Sequence, residues 1–206
     1  MKKNPLRPLF LLLLLPFLLL ELPAFADARS TALLTRLSEQ VRKMPGYAVS
    51  FSVTSGEQLI EGRYVVKGES YYMSFGIAEV FCDGKTRWEV DSSKKEVVMD
   101  AVNRTSHNIL DNPTHAFDLV DGSFKTTLIS ETGGVAVVRL VPTSAQAGMT
   151  TIVLSINTAT ATPRSLTYEL SGDHVEVTVN SFRASSAMPK IFRATDYPNY
   201  EKIDFR

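Results

Sequence analysis

Residues Phe81–Ala101 read FCDGKTRWEVDSSKKEVVMDA, and the fold is decided there. The stretch holds three extended runs joined by two tight turns. Asp83-Gly84 signals a two-residue hairpin, because both central positions of a type I′ turn need φ > 0 and Asp-Gly tolerates that. Asp91-Ser92-Ser93-Lys94 is a second polar turn. Trp88 and Val90, then Val97 and Met99, alternate with polar neighbours at the two-residue period of a strand. An antiparallel meander follows.

Working outward, the same alternation recurs on both sides. Tyr47, Val49, Phe51 and Val53 alternate with Ala48, Ser50, Ser52 and Thr54. Ile60, Gly62, Tyr64 and Val66 share a face opposite Glu61, Arg63 and Lys67, and Tyr71, Met73 and Phe75 are in step. Later runs cover Phe124–Ser130, Val135–Val141, Thr151–Asn157, Pro163–Leu170 and Val175–Phe182. Gly133-Gly134, Ala147-Gly148 and Gly172-Asp173 punctuate them. The tail from Tyr197 to Arg206 is expected to pair as a final edge.

Two segments depart from this pattern. Asp27–Met44 reads as an amphipathic helix, with Leu34, Leu37, Val41 and Met44 spaced three and four apart and Pro45-Gly46 as its stop. Within Asn103–Gly122, Thr105–Leu110 suits a short turn of helix, and Asn112-Pro113 reads as a helix start. The expected fold class is mainly β (α+β): an unclosed antiparallel β-barrel of about 11 strands with a helical lid, since open sheets much beyond about ten strands curl. The helices would cover its open side.

Residues 1–26 read as a cleaved export signal. Lys2, Lys3 and Arg7 form a basic start, Leu9–Leu20 an apolar core, and Ala24-Phe25-Ala26 an A-x-A cleavage site. The expected mature chain is a single domain over residues 27–206, placed in the periplasm. Removing Lys2, Lys3, Arg7 and Glu21 from 22 basic and 22 acidic side chains leaves 19 and 21. That balance argues against nucleic acid as a partner. Cys82 is the only cysteine, so an intramolecular disulfide is impossible, and a buried small hydrophobe is its expected role.

Catalytic signals are thin. There is no G-x-S-x-G, no H-E-x-x-H and no Gly-rich phosphate loop. His107, His115 and His174 have no ligand-spaced partners and read as exposed loop histidines. No enzyme, no metal and no cofactor are expected. The in-phase aromatics and methionines suit plain core packing, or an acyl-binding pocket, where flexible Met and large rings accept ligands of loose shape.

The segment VFCDGKTRWEVDSSKKEVVM resembles the V-x-D-G-K-T-x-W-x-Y-x-P-x-x-x-x-V stretch of the LolA family of periplasmic lipoprotein carriers. Ala48-Val49-Ser50-Phe51, Gly62–Lys67, and Asn112-Pro113 with Phe117 and Phe124 are similar in the same order. The DYP…IDFR tail looks like that of Bacteroidota members. The resemblance implies an unclosed barrel under a lid, and a carrier that shuttles acyl chains of lipoproteins toward the outer membrane. It implies as partners an acylated lipoprotein or other lipid, an inner-membrane release complex and an outer-membrane receptor, with the carrier itself a monomer. The hydrophobic cavity would be lined by Phe51, Val53, Tyr64, Val66, Met73, Phe75 and Met99, and the lid would add Ile109, Leu110 and Phe117. Family carriers follow the V-K pair with an Arg that latches the lid. Here Lys67 is followed by Gly68 and Glu69, and Arg63 and Lys67 have the parity of the other face. A lipid-binding or sensor module that does not transport lipoproteins is the alternative on the same fold.

Overall fold

The structure, a computed structural model, describes residues 23–144, 149–171 and 173–206. Most of the export segment and the turn residues Ala147, Gly148 and Gly172 lie outside the described residues. Helix α1 spans Pro23–Arg42. It is followed by β1 (Tyr47–Ser55), β2 (Gln58–Lys67), β3 (Ser70–Phe75), β4 (Ala78–Cys82), β5 (Thr86–Asp91) and β6 (Glu96–Ala101). After a long connection come β7 (Phe124–Thr132), β8 (Val135–Pro142), β9 (Met149–Asn157), β10 (Thr162–Leu170), β11 (Asp173–Ala184) and β12 (Glu201–Asp204).

The twelve strands among the described residues all belong to one sheet, ordered β12-β6-β5-β4-β3-β2-β1-β11-β10-β9-β8-β7. Short turns make sequential strands neighbours, and β1 joins the two halves by pairing with both β2 and β11. The edges, β12 and β7, do not meet, so the barrel is unclosed. The twelve strands among the described residues agree with the expectation of about eleven. One expectation needs correcting: the sheet is not wholly antiparallel, because β12 runs parallel to β6 from Glu201↔Glu96 to Asp204↔Met99. The tail reaches that edge after crossing the sheet's outer face, so it arrives in the direction β6 already runs.

The period-two pattern puts one apolar set inside. Val49, Phe51, Tyr64, Met73 and Val80 meet Val138, Leu154, Leu166 and Tyr168 in a single buried core. Leu33, Leu34 and Leu37 of α1 close onto it, and Arg42 in the last turn suits the helix C-terminus. The helix already includes Pro23, ahead of the Asp27 expected, so the backbone of Ala24–Ala26 is helical. At Gly62 the outer end of the Phe51 ring occupies the space beside the backbone: a Cβ there would fall 2.7 Å from its Cε2. Only glycine permits that approach.

The second core was not expected. On the convex face of β3–β6, Tyr72, Phe81, Val90 and Val97 are buried under the tail. Phe192 stacks between Trp88 (centroids 5.2 Å apart, 11°) and Tyr197 (5.6 Å, 3°). Glu79 ties this face together, accepting from Tyr197 Oη at 2.9 Å and from the hydroxyl of Tyr72. Lys190 sits 4.4 Å over the Tyr72 ring. The opening motif therefore builds the wall on which the tail lies.

Its first turn also differs from expectation. Positive φ falls on Gly84 alone, at 91°, so the turn is not type I′. Asp83 Oδ1 instead accepts from the amides of Lys85 and Thr86, each at 2.9 Å. The second turn is the Asp-led one expected: Asp91 Oδ1 accepts from the amides of Ser93 and Lys94 and from the Ser93 hydroxyl.

Candidate functional site

The connection from β6 to β7, residues 102–123, runs between strands near the two unjoined edges and crosses the mouth of the barrel. The helices expected in it do not form. Asparagines explain why. The side chains of Asn103, Asn108 and Asn112 accept from the amides two residues on, Thr105, Leu110 and Thr114, at 2.9–3.2 Å. Such local bonds offer the backbone an alternative to the helical ladder. The result is a chain of turns, with α1 the one α-helix among the described residues.

This cover is apolar inward. Ile109, Ala116, Phe117 and Leu119 are fully or almost fully buried against the concave face, and Leu110 and Val120 pack beside them. Phe117 lies edge-on to Phe182 at 5.6 Å. Beneath them Phe51, Val53, Tyr64, Val66 and Met73 are buried together, with Phe75 stacked on Phe51 at 6.0 Å. Met99 does not join this set. It pairs with Trp88 on the convex face and packs in the second core, because β5 and β6 turn Arg87, Glu89, Val98 and Asp100 the other way.

Polar contacts hold the cover at fixed points. Tyr47 Oη donates to Pro113 O at 2.6 Å, and Tyr71 Oη donates to Asp111 O at 2.9 Å. Tyr168 Oη accepts from the Ile109 amide at 3.0 Å. From α1, Ser38 Oγ donates to Phe117 O at 2.5 Å, and Arg42 pairs with the Asp118 carboxylate. Burial pushes the Tyr47, Tyr71 and Tyr168 hydroxyls upward, so all three stay protonated at neutral pH. These hydroxyls were missed in the sequence. Their signal was there, since each tyrosine is the polar-tipped member of an in-phase apolar series.

The latching arginine implied by the resemblance is absent here, as the sequence indicated. Gly68 is exposed, with φ at +58°, and Arg63 lies exposed on the convex face. A different arginine reaches the inside. Arg87 is mostly buried on the concave side, paired with Glu89 at 2.8 Å, and its Nε has no partner among the described residues.

The histidines divide. His174 is exposed and paired with Glu169 at 2.8 Å. His107 corrects the expectation of an exposed loop residue. It is 4% exposed, edge-on to Phe124 at 4.9 Å, with Nε2 3.2 Å from Asp118 O. Among the described residues, no group of three or more His, Cys, Asp or Glu could hold a metal ion, and no helix is long and apolar enough to cross a membrane. Cys82 is buried and burial pushes its thiol up. What the interior offers chemically is apolar surface with a few fixed phenol hydroxyls and, on β5, the Arg87–Glu89 pair.

No protein-family model matches the sequence, and no curated protein does. Solved structures do match in fold. An uncharacterized conserved protein from Thermus thermophilus is similar with a TM-score of 0.56 at 9% identity, over 85% of this chain and 99% of that one. Weaker likenesses include a putative outer membrane lipoprotein-sorting protein domain from Vibrio parahaemolyticus (TM-score 0.45, 10% identity, 80% and 95% covered). A LolA superfamily protein from Nitrosomonas europaea is similar at a TM-score of 0.40 and 9% identity (82% and 96% covered). At such identities the likeness is one of fold. The class defined by the sheet and its cover is the unclosed half-barrel, an arrangement whose fold the Thermus thermophilus protein shares.

Proposed function

We propose that the chain is an exported carrier that takes up acyl chains in the barrel interior, beneath residues 102–123. The observation that carries this reading is the cover itself. It has no regular secondary structure, it fills the concave face with Ile109, Phe117 and Leu119, and a handful of hydrogen bonds hold it. Apolar side chains seated that way occupy the space an acyl chain would take, and their removal would expose a continuous apolar floor. The residues proposed to meet the ligand are Phe51, Val53, Tyr64, Val66, Met73 and Phe75, with Ile109, Leu110 and Phe117 moving aside.

In this reading residues 1–26 direct export and residues 27–206 act as a monomeric periplasmic binding domain. The cargo is the acylated end of a lipoprotein, collected at the inner membrane and passed to an outer-membrane receptor, with no catalytic step. One observation favours a second reading. The position after Lys67 is an exposed glycine, so lid control differs from that of the carriers the sequence resembles, as in a lipid-binding or sensor module that does not transport. Native mass spectrometry of the full chain purified from a Gram-negative periplasm separates the two. Co-purified acylated protein supports carriage, free lipid or a stable protein partner supports the second reading, and a protein that binds no hydrophobic probe refutes both.

A further inference from the structure

The interior contains one hydroxyl that the closed structure leaves unused. Tyr64 is 1% exposed, and its Oη has no hydrogen-bond partner among the described residues. A buried donor without an acceptor costs free energy that phenylalanine of the same shape would avoid, so an orphan at the centre of a core calls for a reason. Its surroundings are apolar or phenolic. Phe51 is 5.7 Å away by ring centroid and Tyr47 6.1 Å, edge-on. Burial, and then the nearby phenols of Tyr47 and Tyr168, push the hydroxyl well up, so it remains a donor.

The position matters as much as the group. Tyr64 lies in the middle of the concave floor, opposite Val49 on β1 and Met73 on β3. The neighbouring phenols of Tyr47 and Tyr71 spend their donors on cover carbonyls, and would regain them only when the cover leaves. Tyr64 has its donor free while the cover is in place. A bare hydrocarbon in this interior would strand it, whereas a ligand with a carbonyl at that depth would satisfy it.

We infer that Tyr64 is a specificity residue that donates a hydrogen bond to the ester carbonyl of an acyl ligand, so that the interior selects acyl esters over plain hydrocarbon. This rests on the reading of the interior as an acyl site. The test compares two probes of equal chain length, dipalmitoylglycerol and its dihexadecyl ether, which lacks the carbonyls. Each would displace anilinonaphthalene sulfonate from the full exported chain and from Tyr64→Phe. The wild type should prefer the ester about five- to tenfold, the size of one hydrogen bond. Tyr64→Phe should lose that preference by weakening ester binding alone, while its melting temperature holds or rises. Equal binding of both probes by the wild type overturns the inference and leaves the carrier reading intact, as would a buried water on Tyr64. Equal weakening of both probes by Tyr64→Phe also overturns it. If neither probe binds the wild type, the carrier reading fails and the inference with it.

Discussion

Tyr47→Phe and Tyr71→Phe test whether the cover is a separately opening unit. Each substitution keeps the ring and its packing but removes a donor, leaving the Pro113 or Asp111 carbonyl without its partner. A buried acceptor stranded in this way costs about 1–3 kcal/mol, more than the net value of the bond lost. Taking about 1.4 kcal/mol for each gives a tenfold increase in the population of the opened cover, and about a hundredfold for the pair if the segment leaves as one piece. Native-state amide exchange reads this directly. The Ile109 amide, bonded to Tyr168 Oη, and the Asn112 amide, bonded to Asn108 O at 2.8 Å, report cover opening. The Leu154 amide, in a strand paired on both sides, reports global unfolding. Ile109 and Asn112 should speed up while Leu154 changes far less. If all three accelerate by one common factor, the cover opens only when the barrel unfolds, and the latch reasoning is refuted.

Three further outcomes follow from the packing. Gly62→Ala should cost about 1–3 kcal/mol in chemical denaturation, because the ring of Phe51, pinned between Phe75 and Tyr64, cannot withdraw from the new methyl group; adding Phe51→Leu should recover part of the loss. Phe192→Ala removes aromatic contacts to Trp88, Tyr197 and Phe81, about 2–4 kcal/mol at ordinary aromatic-pair values. Protease cutting within residues 185–206 and red-shifted Trp88 emission should report the freed tail. Asp91 should titrate near pH 2, since the Ser93 hydroxyl and the Lys94 amide hold its carboxylate below the ordinary range. A lowered folded value means the turn keeps this stabilisation above about pH 4 and loses it as pH falls through about 2, visible in the Ser93 and Lys94 amide shifts.

The concave face was legible because one side of each strand is uniformly apolar. Phe51, Tyr64 and Met73 are in phase on adjacent strands, and the register Phe51↔Gly62, Tyr64↔Met73 places them together. Met99 failed for the same reason that Phe51 succeeded. On β5 and β6 the apolar side faces outward, and the alternation alone cannot say which side a sheet buries. What decides it is the tail, whose Phe192, Tyr197 and Tyr200 lie about a hundred residues further along the chain and cover the convex wall. The cover was misread for a local reason: Pro after Asn112 is a sound helix start, but asparagine side chains spaced along the segment close turns instead. His107 is buried against Phe124 of β7 and beside Asp118 O, contacts that only the folded chain supplies.

Because the cover already fills the interior, ligand binding there is an exchange. The ligand gains burial of its methylenes, about 0.8 kcal/mol each, and the protein gives up burial of Ile109, Phe117 and Leu119, about 1.5–3 kcal/mol apiece. The two sides become equal when about six to eleven methylenes enter. Shorter chains should therefore fail to displace the cover at all. Above that threshold each further methylene should tighten binding about fourfold until the floor between Val53 and Val66 is filled. A series of monoacylglycerols from four to sixteen carbons, measured against the wild type and against Tyr47→Phe/Tyr71→Phe, tests both parts. The double variant has a weaker latch but the same floor, so its threshold should move to shorter chains while the slope stays the same. An affinity that is flat in chain length, or a slope that changes when the threshold does not, would mean that the acyl chains are bound somewhere other than beneath residues 102–123.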